Sequence, residues 1–312
     1  MSDLRVDSEA SGGAVPDARA GVVPDARAGA VPDARGGAAP DPRTGAPDPP
    51  QTRILCVRVP KWPVAAGVRA AFTERMGGVS RAPFDTLNLA SHVGDAPEAV
   101  AENRRRLHER LVLSAEPHWL EQVHGAEVVD LDATPGRAPA SPRADAAFTR
   151  TPGQPCVILV ADCLAVLMTD RRGAVVAAAH AGWRGLAAGV LAATVRALAV
   201  DPAELLAWLS PAIGPQHFEV GNEVRVALGG DAARGGDGTS GADGALAAAF
   251  QPNARGRWQC DLAAVARAEL TRLGVGAVYG DAACSYAERE RFFSYRRDGQ
   301  CGRMAALIWL EP

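Results

Sequence analysis

Apolar residues in this chain fall into two kinds of run, and both begin only after about residue 52. Short, nearly continuous apolar stretches at 54–59, 68–72, 127–131, 156–161, 174–179 and 304–310 have the length of strands. Longer segments at 97–113, 186–199 and 261–273 place apolar residues at helical spacing, with Val100, Leu107, Leu111 and Leu113 set among charged residues in the first. The stretches at 156–161 and 174–179 are wholly apolar, as expected for strands covered on both faces. Asp170-Arg171-Arg172-Gly173 between them signals a turn, so the two are expected to be joined by a hairpin-length link that permits antiparallel pairing. Strands and helices mix without a regular βαβ order. That predicts an α/β fold, a layered mixed-sheet single domain over 52–312. Residues 229–244, rich in Gly and Asp, read as a flexible surface insertion.

The first fifty residues carry no such pattern. An eight-residue repeat runs from AVPDARAG at 14–21 through VVPDARAG and AVPDARGG to AAPDPRTG at 38–45. Pro, Gly, Ala, Asp and Arg cannot bury enough surface to offset chain entropy, so 1–51 are expected to be a disordered tail. Asp3, Asp7 and Glu9 stand where a secretory signal needs positive charge, and no apolar run is long enough to span a bilayer. The expectation is a cytoplasmic protein with no membrane partner, and a monomer. The whole chain has a formal net charge of −3, and beyond the tail basic and acidic residues balance, which argues against a nucleic-acid groove. Six cysteines, at 56, 156, 163, 260, 284 and 301, form no CxxC pair and are expected to be reduced thiols. Cys56 and Cys156, at the starts of apolar runs, read as small buried hydrophobes.

Three segments carry candidate chemistry: Gln122-Val123-His124-Gly125, Ala161-Asp162-Cys163 and His180-Ala181-Gly182-Trp183-Arg184-Gly185. Each sets a soft donor or its neighbour beside a turn at the end of a strand-like run. Two imidazoles and a thiolate would give a zinc site with an open fourth position, as catalytic zinc requires. Each residue also has a plainer reading. His124 can be a packed, hydrogen-bonded histidine, Asp162 can cap the turn that follows it, and the glycine-flanked turn after His180 can simply pack Trp183. Intervals of 39 and 17 residues match no zinc finger or ribbon.

Taken together, these and other segments resemble the YfiH family, also called the laccase-domain or peptidoglycan editing factor family. The matching segments include Arg75 to Ser80, Leu87-Asn88-Leu89, Val93-Gly94-Asp95, Glu102-Asn103-Arg104, Ile213-Gly214-Pro215, Phe218-Glu219-Val220, Phe292 to Gly299 and Gly302-Arg303-Met304. The resemblance implies a YfiH/CNF1-like fold, zinc held by His124, Cys163 and His180, and a pocket bordered by the Arg75 and Asn88 segments. It implies phosphorolysis of adenosine, inosine, guanosine and methylthioadenosine, with deamination of adenosine, so that the partners are a purine nucleoside and phosphate. Ala165 stands where the family usually has Pro, and Glu74 where it usually has a small hydroxyl residue.

Within that frame Asp162 is a candidate proton shuttle beside Cys163, and Arg75 and Arg184 are candidate phosphate clamps. Asn88 is a candidate for a ribose hydroxyl. Six histidines without a His-x-His pair argue against multicopper chemistry. Two other readings use the same residues: a cysteine hydrolase or deamidase built on Cys163 and His180, and a binding protein for a nucleoside or cell-wall precursor.

Overall fold

The computed structural model describes residues 55–133, 141–230, 241–280 and 282–312. The expected tail at 1–51 and most of the expected insertion at 229–244 lie outside them. Helices are α1 (Pro97–Leu111), α2 (Trp183–Ala187), α3 (Val190–Leu198), α4 (Asn222–Ala227), α5 (Gly241–Ala248), α6 (Leu262–Arg272) and α7 (Tyr295–Asp298). Strands are β1 (Val57–Arg58), β2 (Val68–Thr73), β3 (Val128–Asp130), β4 (Ala146–Thr149), β5 (Cys156–Val160), β6 (Leu164–Asp170), β7 (Val176–Ala181), β8 (Leu205–Leu209), β9 (Glu219–Val220), β10 (Phe250–Pro252), β11 (Trp258–Cys260), β12 (Ala277–Gly280) and β13 (Met304–Leu310).

Two sheets stack face to face. The smaller has the order β1-β2-β13-β5 and is antiparallel throughout. The larger has the order β12-β8-β6-β7-β4-β3, with parallel pairs at both edges and antiparallel pairs at its centre. A third antiparallel sheet runs β10-β11-β9.

Side-chain alternation sets the layers. Met304, Ala306 and Ile308 of β13 and Ile158 and Val160 of β5 face Ala165, Leu167, Val176 and Ala178 of the larger sheet. Leu307 and Trp309 turn the other way, toward Leu107 of α1. On the far side, Val166, Met168 and Ala179 meet Leu191 and Val195 of α3 and Val265 and Leu270 of α6. The domain is therefore a four-layer α/β/β/α stack, a mixed α/β fold as expected.

Three local expectations change. The α1 helix stops at Leu111 because Val112 turns left-handed (φ 51°). The helix expected over 186–199 is broken by Gly189, at φ 84°, into α2 and α3. The expected hairpin of 156–161 with 174–179 does not form. β5 joins β13 in the smaller sheet, and the strand paired with β7 is β6, which the sequence reading passed over. Cys163 consequently sits in the crossover from one sheet to the other, and His180 lies within β7 rather than beyond it. Among the described residues, all six cysteines are free thiols, and no helix is long and apolar enough to cross a membrane.

Candidate metal centre

His180 shares the face of β7 that carries Val176 and Ala178, so its ring points into the space between the sheets where β5 ends. The β5–β6 crossover delivers Cys163 to the same place, and the turn before β3 delivers His124. Their donor atoms all lie within 4.8 Å of one another, and the two imidazole rings meet edge to face at 4.7 Å between centroids. Among the described residues this is the single His/Cys/Asp/Glu group placed to hold a metal ion.

Asp145, a residue the sequence reading did not single out, organises the three. It is 0% exposed and stands just before β4. Its carboxylate accepts from the backbone N–H groups of Val123 (3.1 Å), His124 (2.9 Å) and Gly125 (2.7 Å), and Oδ1 also meets His180 Nδ1 at 2.8 Å. Three consecutive amides thus form a nest around one carboxylate. The nest holds His124 at φ 62°, a left-handed conformation that a β-carbon disfavours. Fixing His180 Nδ1–H on Asp145 leaves Nε2 as the donor atom, the usual arrangement behind a metal-bound histidine.

Electrostatics favour a thiolate at Cys163 paired with a charged His180, whose Nε2 proton a metal ion would displace. Burial pushes the Cys163 thiol up, but hydrogen bonds from the His124 and His180 rings more than reverse this, lowering it to about 6. Burial likewise opposes a charged His180, yet Asp145 and the Cys163 sulfur raise it to about 9. Burial would raise the Asp145 carboxyl as well, but His180 and the loop amides outweigh it and hold the group below the usual carboxylate range. A preformed thiolate beside two imidazoles, one oriented by a buried carboxylate, fits a divalent ion of zinc type.

Gly182 is required by this packing. A β-carbon there would lie 2.8 Å from Cys163 Sγ and 3.6 Å from the His124 ring. Gly182→Ala is therefore expected to displace the sulfur and weaken metal binding about ten-fold or more, on the scale of changes that disturb ligand orientation. Competition with a chromophoric chelator measures this, and unchanged affinity would contradict the packing argument.

The centre forms one wall of a cavity of about 410 Å³. Leu159, Val160 and Ala161 supply an apolar side, while His92, Gln122, Tyr295 and Arg303 complete the lining. The Gln122 amide is committed to structure: it donates to the Leu159 carbonyl and accepts from the Leu159 N–H, pinning the His124 loop to β5.

The other sequence candidates stand elsewhere. Asp162, at φ 86°, turns its carboxylate away from the cavity to accept from Ser285 Oγ (2.6 Å) and the Arg296 N–H (2.7 Å). Arg75 donates to the backbone and carboxylate of Asp85 and to the Arg289 carbonyl, and lies over the Phe293 ring. Arg184 is exposed and lies 4.5 Å above the Trp183 ring. Asn88 is fully buried, ordering its own turn through Ala90 and accepting from the Arg303 N–H. None of these four lines the cavity; Asp162, Arg75 and Asn88 bond to other parts of the protein, and Arg184 lies over Trp183. Arg303 and His92 line it instead, and neither had been singled out. The only signal for Arg303 was its place in the Gly302-Arg303-Met304 segment, where a cation immediately precedes a wholly apolar strand.

The sequence model of a family described as multi-copper polyphenol oxidoreductase laccase matches residues 69–311. A purine nucleoside phosphorylase of Pseudomonas aeruginosa is 52% identical over 253 residues, covering 81% of this chain and 97% of the relative. The purine nucleoside phosphorylase YfiH of Escherichia coli K12 is 48% identical over 252 residues, covering 81% and 98%. Among solved structures, a Neisseria meningitidis protein matches with a TM-score of 0.74 at 44% identity, covering 82% of this chain and 99% of that one. YlmD of Geobacillus stearothermophilus gives a TM-score of 0.72 at 30% identity, covering 85% and 98%.

Proposed function

Because the chain belongs to the YfiH, laccase-domain family, we propose that His124, Cys163 and His180 hold zinc and that the adjoining cleft is a purine nucleoside phosphorylase site. Its substrates are adenosine, inosine, guanosine and methylthioadenosine together with phosphate, and it also deaminates adenosine. One observation carries this reading. Three soft donors converge, with His180 oriented by Asp145, in the wall of a cavity whose 410 Å³ suits a small molecule. The names of the relatives supply the substrate class.

A bound zinc ion would supply a Lewis acid and activate water near neutral pH. The protein's own groups do the rest. Asp145 keeps the His180 ring in one tautomer and orientation, so that nothing has to reorganise during reaction. Leu159, Val160 and Ala161 exclude bulk water from one side. Tyr295, 60% exposed at the rim, offers a face on which a purine can stack. In phosphorolysis a phosphate oxygen bonds to C1′ as the bond from C1′ to the purine nitrogen breaks. In deamination water replaces ammonia at C6. The donor count does not support laccase chemistry, since a multicopper cluster needs more imidazoles than the single group of two His and one Cys found among the described residues provides.

A second reading has an observation of its own. Cys163, His180 and Asp145 also have the order of a thiolate, a base and an orienting carboxylate. His124 is superfluous to that arrangement and integral to the metal one. Rapid alkylation of Cys163 by iodoacetamide in metal-replete protein would favour the hydrolase, because a thiolate bound to zinc is a poor nucleophile.

The direct test incubates the protein with adenosine, with and without phosphate. Adenine and ribose 1-phosphate are expected with phosphate, and inosine without it. Both reactions should disappear after removal of metal by a chelator and return with zinc. No product under any metal condition would end the proposal.

A further inference from the structure

We propose that Arg303, with His92 beside it, is the phosphate subsite of this cleft; the proposal rests on the phosphorylase reading above. None of the residues lining the cavity is acidic, and apart from the two metal-centre histidines its basic side chains are Arg303 and His92. Arg303 directs Nη1 to the carbonyls of Cys301 (2.8 Å) and Gly302 (3.1 Å) and to the Cys301 sulfur. Among the described residues no carboxylate pairs with its guanidinium, and Nε and Nη2 have no protein acceptor. A half-buried guanidinium with a free two-donor edge matches the geometry of a phosphate.

The placement of Arg303 is built, not incidental. Its backbone N–H is held by Asn88 Oδ1 at 3.0 Å. Asn88 is in turn tied through Nδ2 to Asp95, and through its carbonyl to the buried Asn103, whose Oδ1 accepts from the Val79 N–H. This network explains why the segments around Gly78, Asn88, Asp95 and Asn103 stand out in the sequence although none of them lines the cleft. They fix the position from which Arg303 reaches it.

No acidic side chain of the cavity lining offsets the charge of Arg303. Burial, with the charges of Arg303 and of Arg104 (3.9 Å above the Trp119 ring and itself answered in part by Glu116), holds His92 below its usual range. An anion supplies the missing counter-charge. The zinc ligands and the anion subsite then occupy separate parts of one cavity, with the nucleoside between them.

Zinc-loaded Arg303→Met, Arg303→Lys and His92→Gln proteins test this with inorganic phosphate as the probe. The KM for phosphate in phosphorolysis is expected to rise about ten-fold or more in Arg303→Met, the scale of losing a charge-assisted hydrogen-bond pair. Arg303→Lys should recover part of this, and His92→Gln should show a smaller rise. Phosphorolysis should fall far more than phosphate-free deamination, with zinc content unchanged. A phosphate KM equal to wild type, or equal loss of both reactions, would overturn the assignment. Phosphate binding followed by ³¹P line broadening separates it from the activity. Binding lost in Arg303→Met supports the subsite even if wild type proves not to be a phosphorylase, and binding retained refutes it.

Discussion

Cys163→Ala is expected to leave the protein folded, free of bound zinc and inactive in both phosphorolysis and deamination. The thiolate is the one anionic donor of the three, and its negative charge is what the His124 and His180 rings are arranged around. Changes that merely disturb the groups supporting such ligands weaken metal affinity about 10–100-fold. Loss of the anionic ligand itself should exceed that, so that dialysed protein retains no stoichiometric metal by elemental analysis. Cys163→Ser should behave almost as badly, because a serine hydroxyl stays protonated where the thiol does not. Folding should survive, since alanine fits the space left beside Gly182. A variant that keeps either reaction would show that the two do not share one centre. A variant that keeps its zinc but loses activity would instead revive the cysteine-nucleophile reading.

The second large effect belongs to Asp145. Replacing it with Ala would leave the N–H groups of Val123, His124 and Gly125 and the His180 ring without their acceptor in a fully buried position. Breaking a buried charge-assisted cluster of this kind destabilises by about 3–5 kcal/mol. Thermal unfolding should show this as a Tm roughly 10 °C lower. Asp145→Asn keeps the shape but presents an NH₂ group to donors, so one half of its amide must face an N–H. It is expected to keep the fold while metal affinity drops about 10–100-fold. A cobalt-substituted Asp145→Asn protein should also show an altered ligand-field spectrum, which a purely structural role would not produce. The pH dependence has a definite sign. The Asp145 carboxyl lies below its unfolded value, so its stabilisation is complete above about pH 4 and is lost as pH falls toward the lower folded value. If Asp145→Asn bound zinc as tightly as wild type, Asp145 would be a core residue and nothing more.

What the chain declares by itself is the class of fold, six of the thirteen strands found among the described residues, and the three donors. Runs such as Cys156 to Val160 and Met304 to Leu310 are apolar at every position, and nothing but a strand covered on both faces suits them. His124, Cys163 and His180 stand beside turns that interrupt such runs, and their chemistry is visible in the residue types alone. Which strand pairs with which was a different matter. A strand apolar on both faces carries no alternation, and alternation is what encodes face and register. The pairing of β5 with β13, and of β6 with β7, was therefore decided only by how two sheets and two helical layers fill space. The same holds for the supporting groups. Asp145 lies 35 residues from His180, and Asn88 lies 215 from Arg303, so neither contact leaves a local pattern. Asp162, Arg75 and Asn88 are polar residues whose partners proved to be other parts of the protein, because a buried polar group must bond to whatever the fold brings near it. The chemistry of each residue is local, whereas its partner is a property of the packed chain.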